Sequence, residues 1–200
     1  MSVELCSLTL QRDDASTKNL IATGLFGDGA AALVMRGPDH RPRGDGRRGP
    51  TTLRPGAAPR VLDSRSVFFE DTERTMGWDV GDTGFEVVLA PTVPELVAEH
   101  VPDAVDELLA AHDLDRDAIE TWVSHPGGPA VIAALEEGLD LEPDALDPTR
   151  RHLAEVGNLS SSSVLFLLDD ARRRRPPAGS HGLVMAMGPG FCAELVLIQW

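Results

Sequence analysis

At 200 residues and 42% hydrophobic content, the chain can bury a sizeable core and is not a disordered polypeptide. Its 18 Lys and Arg stand against 32 Asp and Glu, and the net charge of −14 argues against nucleic acid or another polyanion as a partner drawn in by long-range attraction. No apolar run approaches the roughly 18 to 20 residues of a bilayer span, and no basic region leads an apolar signal core, so a cytoplasmic location is expected.

Residues 3–10 alternate well enough to predict a strand, and a strand that starts at the third residue suggests that sequence precedes it. Residues 19–26 read as a short helix ending at Gly27-Asp28-Gly29, and residues 30–35 as a second buried strand whose small first residues suit a close crossing. From 37 to 59 the composition turns to Gly, Pro, Arg and Asp. Arg41, Arg43, Arg47, Arg48, Arg54 and Arg60 could hold phosphate there, but no aromatic or ordered glycine turn accompanies them, and a solvated linker is the simpler reading.

A strand is expected over 61–69, a glycine-punctuated hairpin or turn over 76–84 and a strand over 85–89. Helical spacing follows from 93 to 112, with Pro94 near its start and Pro102 as a kink or break. The strand at 118–123 runs into His125-Pro126-Gly127-Gly128-Pro129 and then a helix from Ala130. Residues 144–156 form an amphipathic helix with Leu146, Leu153 and Val156 on one face. Gly157-Asn158-Leu159-Ser160-Ser161-Ser162-Ser163 opens the most apolar helix, with hydroxyls to satisfy free N–H groups and Arg172 to Arg175 to complement the far end of its dipole. Two strands, 181–187 and 191–198, close the chain around Gly188-Pro189-Gly190. The alternation of strand and helix predicts a layered α/β sheet.

His125 falls at the carboxyl edge of a strand, where α/β folds place their chemistry. The glycines after it allow a tight turn and close ligand approach, and Pro129 suits a first helical position. Alone, such a histidine reads as structural. Asn158 changes that, because a second helix-opening turn offers a carboxamide donor, and two donors so placed can hold an oxyanion. Cys6 and Cys192 lie at opposite ends without C-x-x-C spacing, and no H-E-x-x-H occurs, so neither a disulfide framework nor a metal centre is indicated. Cys6, placed within a strand, lacks a helix N-terminus to lower its pKa and is a poor nucleophile; Cys192 reads as a small core residue. Phe26 and Phe85, taken singly, read as core.

With Gly24-Leu25-Phe26-Gly27-Asp28-Gly29-Ala30-Ala31-Ala32 and Gly188-Pro189-Gly190-Phe191, these two turns resemble the type III polyketide synthases, the chalcone and stilbene synthase family of the thiolase superfamily. The opening Val-Glu-Leu-Cys-Ser-Leu-Thr-Leu-Gln is similar to bacterial members. The resemblance implies a thiolase-like layered α-β-α-β-α fold, with residues 1–36 ending an N-terminal thiolase-like domain, 37–60 a loop, and 61–200 the C-terminal domain. It implies that the chain is the C-terminal portion of a longer synthase, with the nucleophilic cysteine upstream of Val3. His125 and Asn158 would complete a Cys-His-Asn catalytic set, and Phe26 and Phe85 would gate the cavity. Cys6, Leu8, Thr9, Gly27 and Ser160 would line that cavity, with Ala130 beside the CoA pantetheine. The implied substrates are malonyl-CoA and an acyl-CoA starter, with no further cofactor, a homodimeric assembly and an alkylpyrone or alkylresorcinol product. The alternative is an inactive remnant or a noncatalytic thiolase-fold dimerisation fragment lacking the nucleophile.

Overall fold

A computed structural model describes residues 1–37 and 58–200; the linker expected over 37–59, with Arg41, Arg43, Arg47, Arg48 and Arg54, lies outside the described residues except at its ends. The fold is built on a four-stranded mixed sheet in the order β3 (Arg60–Phe68), β8 (Cys192–Gln199), β7 (His181–Gly188), β6 (Ile119–Ser124). Only the β7–β6 pair is parallel.

Side-chain alternation decides what covers each face. Leu183, Met185 and Met187 of β7, with Ala193, Leu195 and Leu197 of β8 and Trp122 of β6, join one core under α2 (Val93–Ala110) and α3 (Pro129–Leu139). Val184, Val196, Ile198 and Val123 point the other way and pack on Leu167 and Ala171 of α5 (Ser161–Arg174). Both faces are buried, as strands so uniformly apolar require. Beyond α5 lies an antiparallel pair of short strands, β1 (Ser2–Glu4) and β2 (Gly29–Ala31). The layers therefore run helix, sheet, helix, strand pair. A hairpin, β4 (Met76–Gly81) and β5 (Gly84–Leu89), turns at Asp82-Thr83, so the glycine-punctuated stretch is itself largely strand.

Several local expectations are corrected. Residues 3–10 are not one strand: after β1 the chain closes into a 3-10 turn over Cys6–Thr9. The Asp28 carboxylate accepts from the Ser7 N–H and Oγ, each at 2.7 Å, and Thr9 Oγ1 donates to the Cys6 carbonyl at 2.8 Å. Those side-chain bonds give the backbone a better local partner than a ladder, which leaves β2 only three residues long. Upstream of β2, α1 (Thr17–Leu25) starts at Ser16, whose Oγ accepts from the Asn19 N–H. In α4 (Asp147–Val156), Val156 is half-exposed at the last helical position, next to the Gly157 cap, rather than buried with Leu146. Arg172 and Arg173 pair with Asp169, and Arg174 with Asp170, so the charged end of α5 is compensated by side chains as well as by the dipole.

Pro102 does not break α2, which runs 18 residues with Val97, Val101, Val105 and Leu108 wholly buried on one stripe. A proline costs the helix its bond to the carbonyl four residues back, here Ala98. That carbonyl lies at the crossing with α3: a Cβ on Gly138 would come within 3.3 Å of it and 3.2 Å of the Pro102 ring. The crossing is thus too close for a side chain at 138. Gly138→Val is expected to destabilise the fold by about 1–3 kcal/mol, read as a lower urea midpoint. An unchanged midpoint would show that the two helices have room to part.

Candidate active site

His125 is fixed by its backbone. Its N–H donates to the Met185 carbonyl at 2.9 Å, continuing the β6–β7 pairing by one residue, and its carbonyl accepts from the Gly127 N–H at 2.9 Å. Gly128 caps α3 at φ 156° and Pro129 opens it. Behind the turn, Thr149 of α4, wholly buried, donates its hydroxyl to the Ser124 carbonyl at 3.2 Å. The imidazole therefore projects from a strand end braced on three sides.

Asn158 is held as tightly. Its N–H donates to the Leu25 carbonyl at 2.7 Å and its carbonyl accepts from the Gly27 N–H at 3.0 Å, so the turn after α4 is stitched to the turn after α1. Glycine makes that stitching possible. A Cβ would lie 2.8 Å from the Val156 carbonyl at Gly27, 2.9 Å from Leu159 at Gly29 and 2.7 Å from the Leu25 carbonyl at Gly157. The glycine-rich stretch after α1 is thus the seat of the Asn158 turn. The Asn158 side chain is buried, and its carboxamide oxygen accepts from the Ser160 N–H at 2.8 Å, which fixes its rotation. Its NH₂ has no protein partner among the described residues, yet it is not sealed from solvent.

Ser160, whose N–H is bonded to the Asn158 carboxamide, also lies near enough to the His125 ring for its backbone to favour the charged imidazole. Burial lowers the His125 pKa from 6.5 to about 4, and the neighbouring His152 lowers it further in the same sense, against the opposing pull of Glu4 and the Ser160 backbone. At neutral pH the ring is therefore uncharged. A neutral imidazole has one N–H to donate and one lone pair to accept with.

A consequence for stability has a definite sign. The unfolded chain binds a proton at His125 from pH 6.5 downward, whereas the folded chain resists it until about 4. Stability contributed by the neutral ring is complete above 6.5 and is lost as the pH falls towards 4. A His125→Gln variant is expected to show a shallower loss of stability across that window in urea titrations; parallel curves would contradict it.

Among the residues expected to line a cavity, Cys6, Thr9 and Phe26 surround a pocket of about 190 Å³. Trp78 joins them, 6.4 Å from Phe26 and 6.3 Å, edge-on, from Phe85 between ring centres. Sequence reading passed over Trp78, whose only signal is an aromatic between glycines in a hairpin. Phe85 is half-exposed, Leu8 is 76% exposed, and Ala130 lies exposed on the first turn of α3. Gly27 belongs to the crossing under Asn158, and Ser160, at φ 51°, to the start of α5. The Cys6 thiol is pushed up by burial and by the carboxylates of Glu4 and Asp28, and Cys192 by burial and Glu194, so both stay protonated. A larger cleft of about 690 Å³ opens at the other end of the sheet, around Arg116, Glu120 and Arg175, and holds none of these residues.

The family model for the C-terminal domain of chalcone and stilbene synthases matches residues 61–200. The chain belongs to the chalcone and stilbene synthase family. It is 50% identical over 201 residues to the 1,3,6,8-tetrahydroxynaphthalene synthase of Streptomyces peucetius subsp. caesius, covering 100% of this chain and 50% of that one. To a putative chalcone synthase of Bacillus subtilis it is 37% identical, covering 100% and 53% of the two chains. The crystal structure of the Streptomyces coelicolor tetrahydroxynaphthalene synthase, a bacterial type III polyketide synthase, superposes with a TM-score of 0.84 at 33% identity, over 99% of this chain and 52% of that one. The fold is thiolase-like, and the sheet, helix and strand-pair layers described above are those of a type III polyketide synthase. The chain spans about half the length of the curated relatives it matches. No helix among the described residues is long and apolar enough to cross a membrane.

Proposed function

We propose that this chain supplies the histidine and asparagine half of a type III polyketide synthase site, which decarboxylates malonyl-CoA and condenses the resulting enolate with a cysteine-bound acyl group. The observation that carries it is the shared turn: Ser160 bonds the Asn158 carboxamide oxygen and lies near the neutral His125 ring, while the Asn158 NH₂, locked in rotation, has no protein partner among the described residues.

In this reading a cysteine outside the chain is the nucleophile. The free lone pair of His125 takes the thiol proton, and the thiolate attacks an acyl-CoA, expelling CoA thiolate and leaving an acyl thioester. His125, now carrying a second N–H, and Asn158 both donate to the thioester oxygen of malonyl-CoA. The C–C bond to the carboxylate breaks, CO₂ leaves, and its electron pair becomes an enolate held by those donors. The enolate carbon then attacks the acyl thioester and releases the cysteine thiolate. Phe26, Trp78 and Phe85 shape the cavity, and Ala130 on α3 lies beside the pantetheine arm.

The exposed apolar side chains of the N-terminal segment, Val3, Leu8, Leu20 and Val34, support completion by further synthase sequence, and the assembly is proposed to be a homodimer. An alkylpyrone or alkylresorcinol is one product class. A polyhydroxynaphthalene is the second, favoured by the name of the relative at 50% identity.

The test is to incubate the chain with malonyl-CoA and an acyl-CoA, alone and mixed with the N-terminal half of that relative, and to measure CO₂ release, protein acylation and product by mass spectrometry. Decarboxylation and product are expected only in the mixture. Acylation of Cys6 in the chain alone would transfer the nucleophile to this chain, and silence in the mixture would favour the noncatalytic alternative.

A further inference from the structure

The turn that presents Asn158 is braced from α5 by Ser163, and Ser163 is contacted by a histidine that the reaction does not use. Ser163 is wholly buried on the first turn of α5. Its backbone N–H donates to the carbonyl of Ser160 at 3.1 Å, the residue that lies near the His125 ring. Its Oγ accepts from the Leu159 N–H at 2.9 Å, the residue directly after Asn158. The same hydroxyl lies 3.1 Å from His152 Nε2 on α4. The His152 ring is in turn set against Phe166 of α5, with ring centres 5.9 Å apart.

A serine oxygen moves with rotation about Cα–Cβ, and its hydroxyl has one proton to donate and two lone pairs to accept with. Left to itself, Ser163 Oγ could turn away from the Leu159 amide. With the Leu159 N–H donating to Oγ, the His152 Nε2 contact holds the same oxygen from the other side, either taking the hydroxyl proton or donating an N–H to the second lone pair according to the ring's tautomer. Burial keeps His152 below its usual pKa, consistent with a neutral ring. The α4–α5 packing thereby sets the rotation of one hydroxyl, and that hydroxyl sets the turn presenting Asn158.

We propose that His152 is a positioning residue of the His125–Asn158 site, acting through the Ser163 hydroxyl to fix the Leu159 amide and with it the Asn158 turn. The proposal rests on the reading of that pair as the synthase site, but its test needs no turnover.

Amide hydrogen exchange at Leu159 is followed by NMR in the 200-residue chain, with Leu197 of β8 as a reference for global opening. His152→Gln keeps an amide group close to the position of Nε2; His152→Leu keeps bulk and loses polarity. Leu159 exchange, taken relative to Leu197, is expected to speed up about tenfold in His152→Leu and in Ser163→Ala, and to stay within about threefold of the parent in His152→Gln. Equal protection in all four proteins, or equal acceleration in both His152 variants, would overturn the proposal.

The His125 ring gives a second readout, of the coupling between the two histidines. Glu4 on β1, the Ser160 backbone and His152 on α4 act on it, and His152 itself faces Glu155 and Asp170. Both His152 variants remove a neighbour that lowers the His125 pKa, so the His125 midpoint is expected to move up from about 4 in each; no movement counts against the coupling. If Leu159 behaves as expected and the completed enzyme still releases no CO₂, the synthase reading fails and the positioning role stands as a property of the turn.

Discussion

Replacing His125 or Asn158 by alanine, in the chain mixed with the N-terminal half of the relative at 50% identity, is expected to slow malonyl-CoA decarboxylation by at least about a hundredfold, since one donor to a developing oxyanion contributes about 3–4 kcal/mol. The geometry makes Asn158→Asp the sharper variant. The Asn158 carboxamide oxygen already accepts from the Ser160 N–H at 2.8 Å, and an aspartate keeps that bond. What it removes is the NH₂, the only part of the side chain without a protein partner among the described residues, and it places negative charge where an enolate must form. Decarboxylation should therefore fall as far in Asn158→Asp as in Asn158→Ala, while the alanine variant alone loses about 1–2 kcal/mol of stability from the unpaired Ser160 amide. The measurements are CO₂ release and a urea midpoint on the same samples. Near-normal decarboxylation by any of the three variants would remove its residue from the reaction.

Much of this site is legible in the sequence because it depends on short-range rules. An apolar strand that ends in His-Pro-Gly-Gly-Pro must turn and start a helix, and the structure carries α3 from Pro129 with Gly128 as its cap. The near-continuous apolar runs of the last two strands specify a sheet covered on both faces. What the sequence hides is set by partners distant in the chain. Cys6 sits in a turn because Asp28, 22 positions on, captures the Ser7 amide and hydroxyl. Pro102 stays inside α2 at a crossing where α3 brings Gly138, without a side chain, against its ring and the Ala98 carbonyl. Trp78 and His152 join the cavity wall and the donor turn through packing between elements, for which a single aromatic or a single imidazole leaves no periodic signal.

The glycines of the two signatures carry the second large effect. Gly157→Ala is expected to destabilise the chain by about 2–4 kcal/mol and to cut decarboxylation as deeply as Asn158→Ala, through backbone rather than side-chain loss. Gly157 sits at φ 80°, ψ −166°, a conformation that L residues rarely adopt, and its added Cβ would lie 2.7 Å from the Leu25 carbonyl oxygen. No rotamer relieves a clash between a Cβ and a backbone atom. The turn must lift, and the bond it breaks is the 2.7 Å contact from the Asn158 N–H to that same carbonyl. The carboxamide is then carried away from the His125 ring even though neither donor has been altered. Gly24→Ala is the matched control, because a Cβ there meets nothing within 4 Å and α1 gains helix propensity worth about 0.5–1 kcal/mol. Full decarboxylation by Gly157→Ala at parental stability would mean that the α1 turn can move with the Asn158 turn, and that the glycine-rich stretch is there for another reason. Loss in Gly157→Ala with retention in Gly24→Ala assigns the signature its physical role: it lets two backbones approach closely enough for one to aim a carboxamide held by the other.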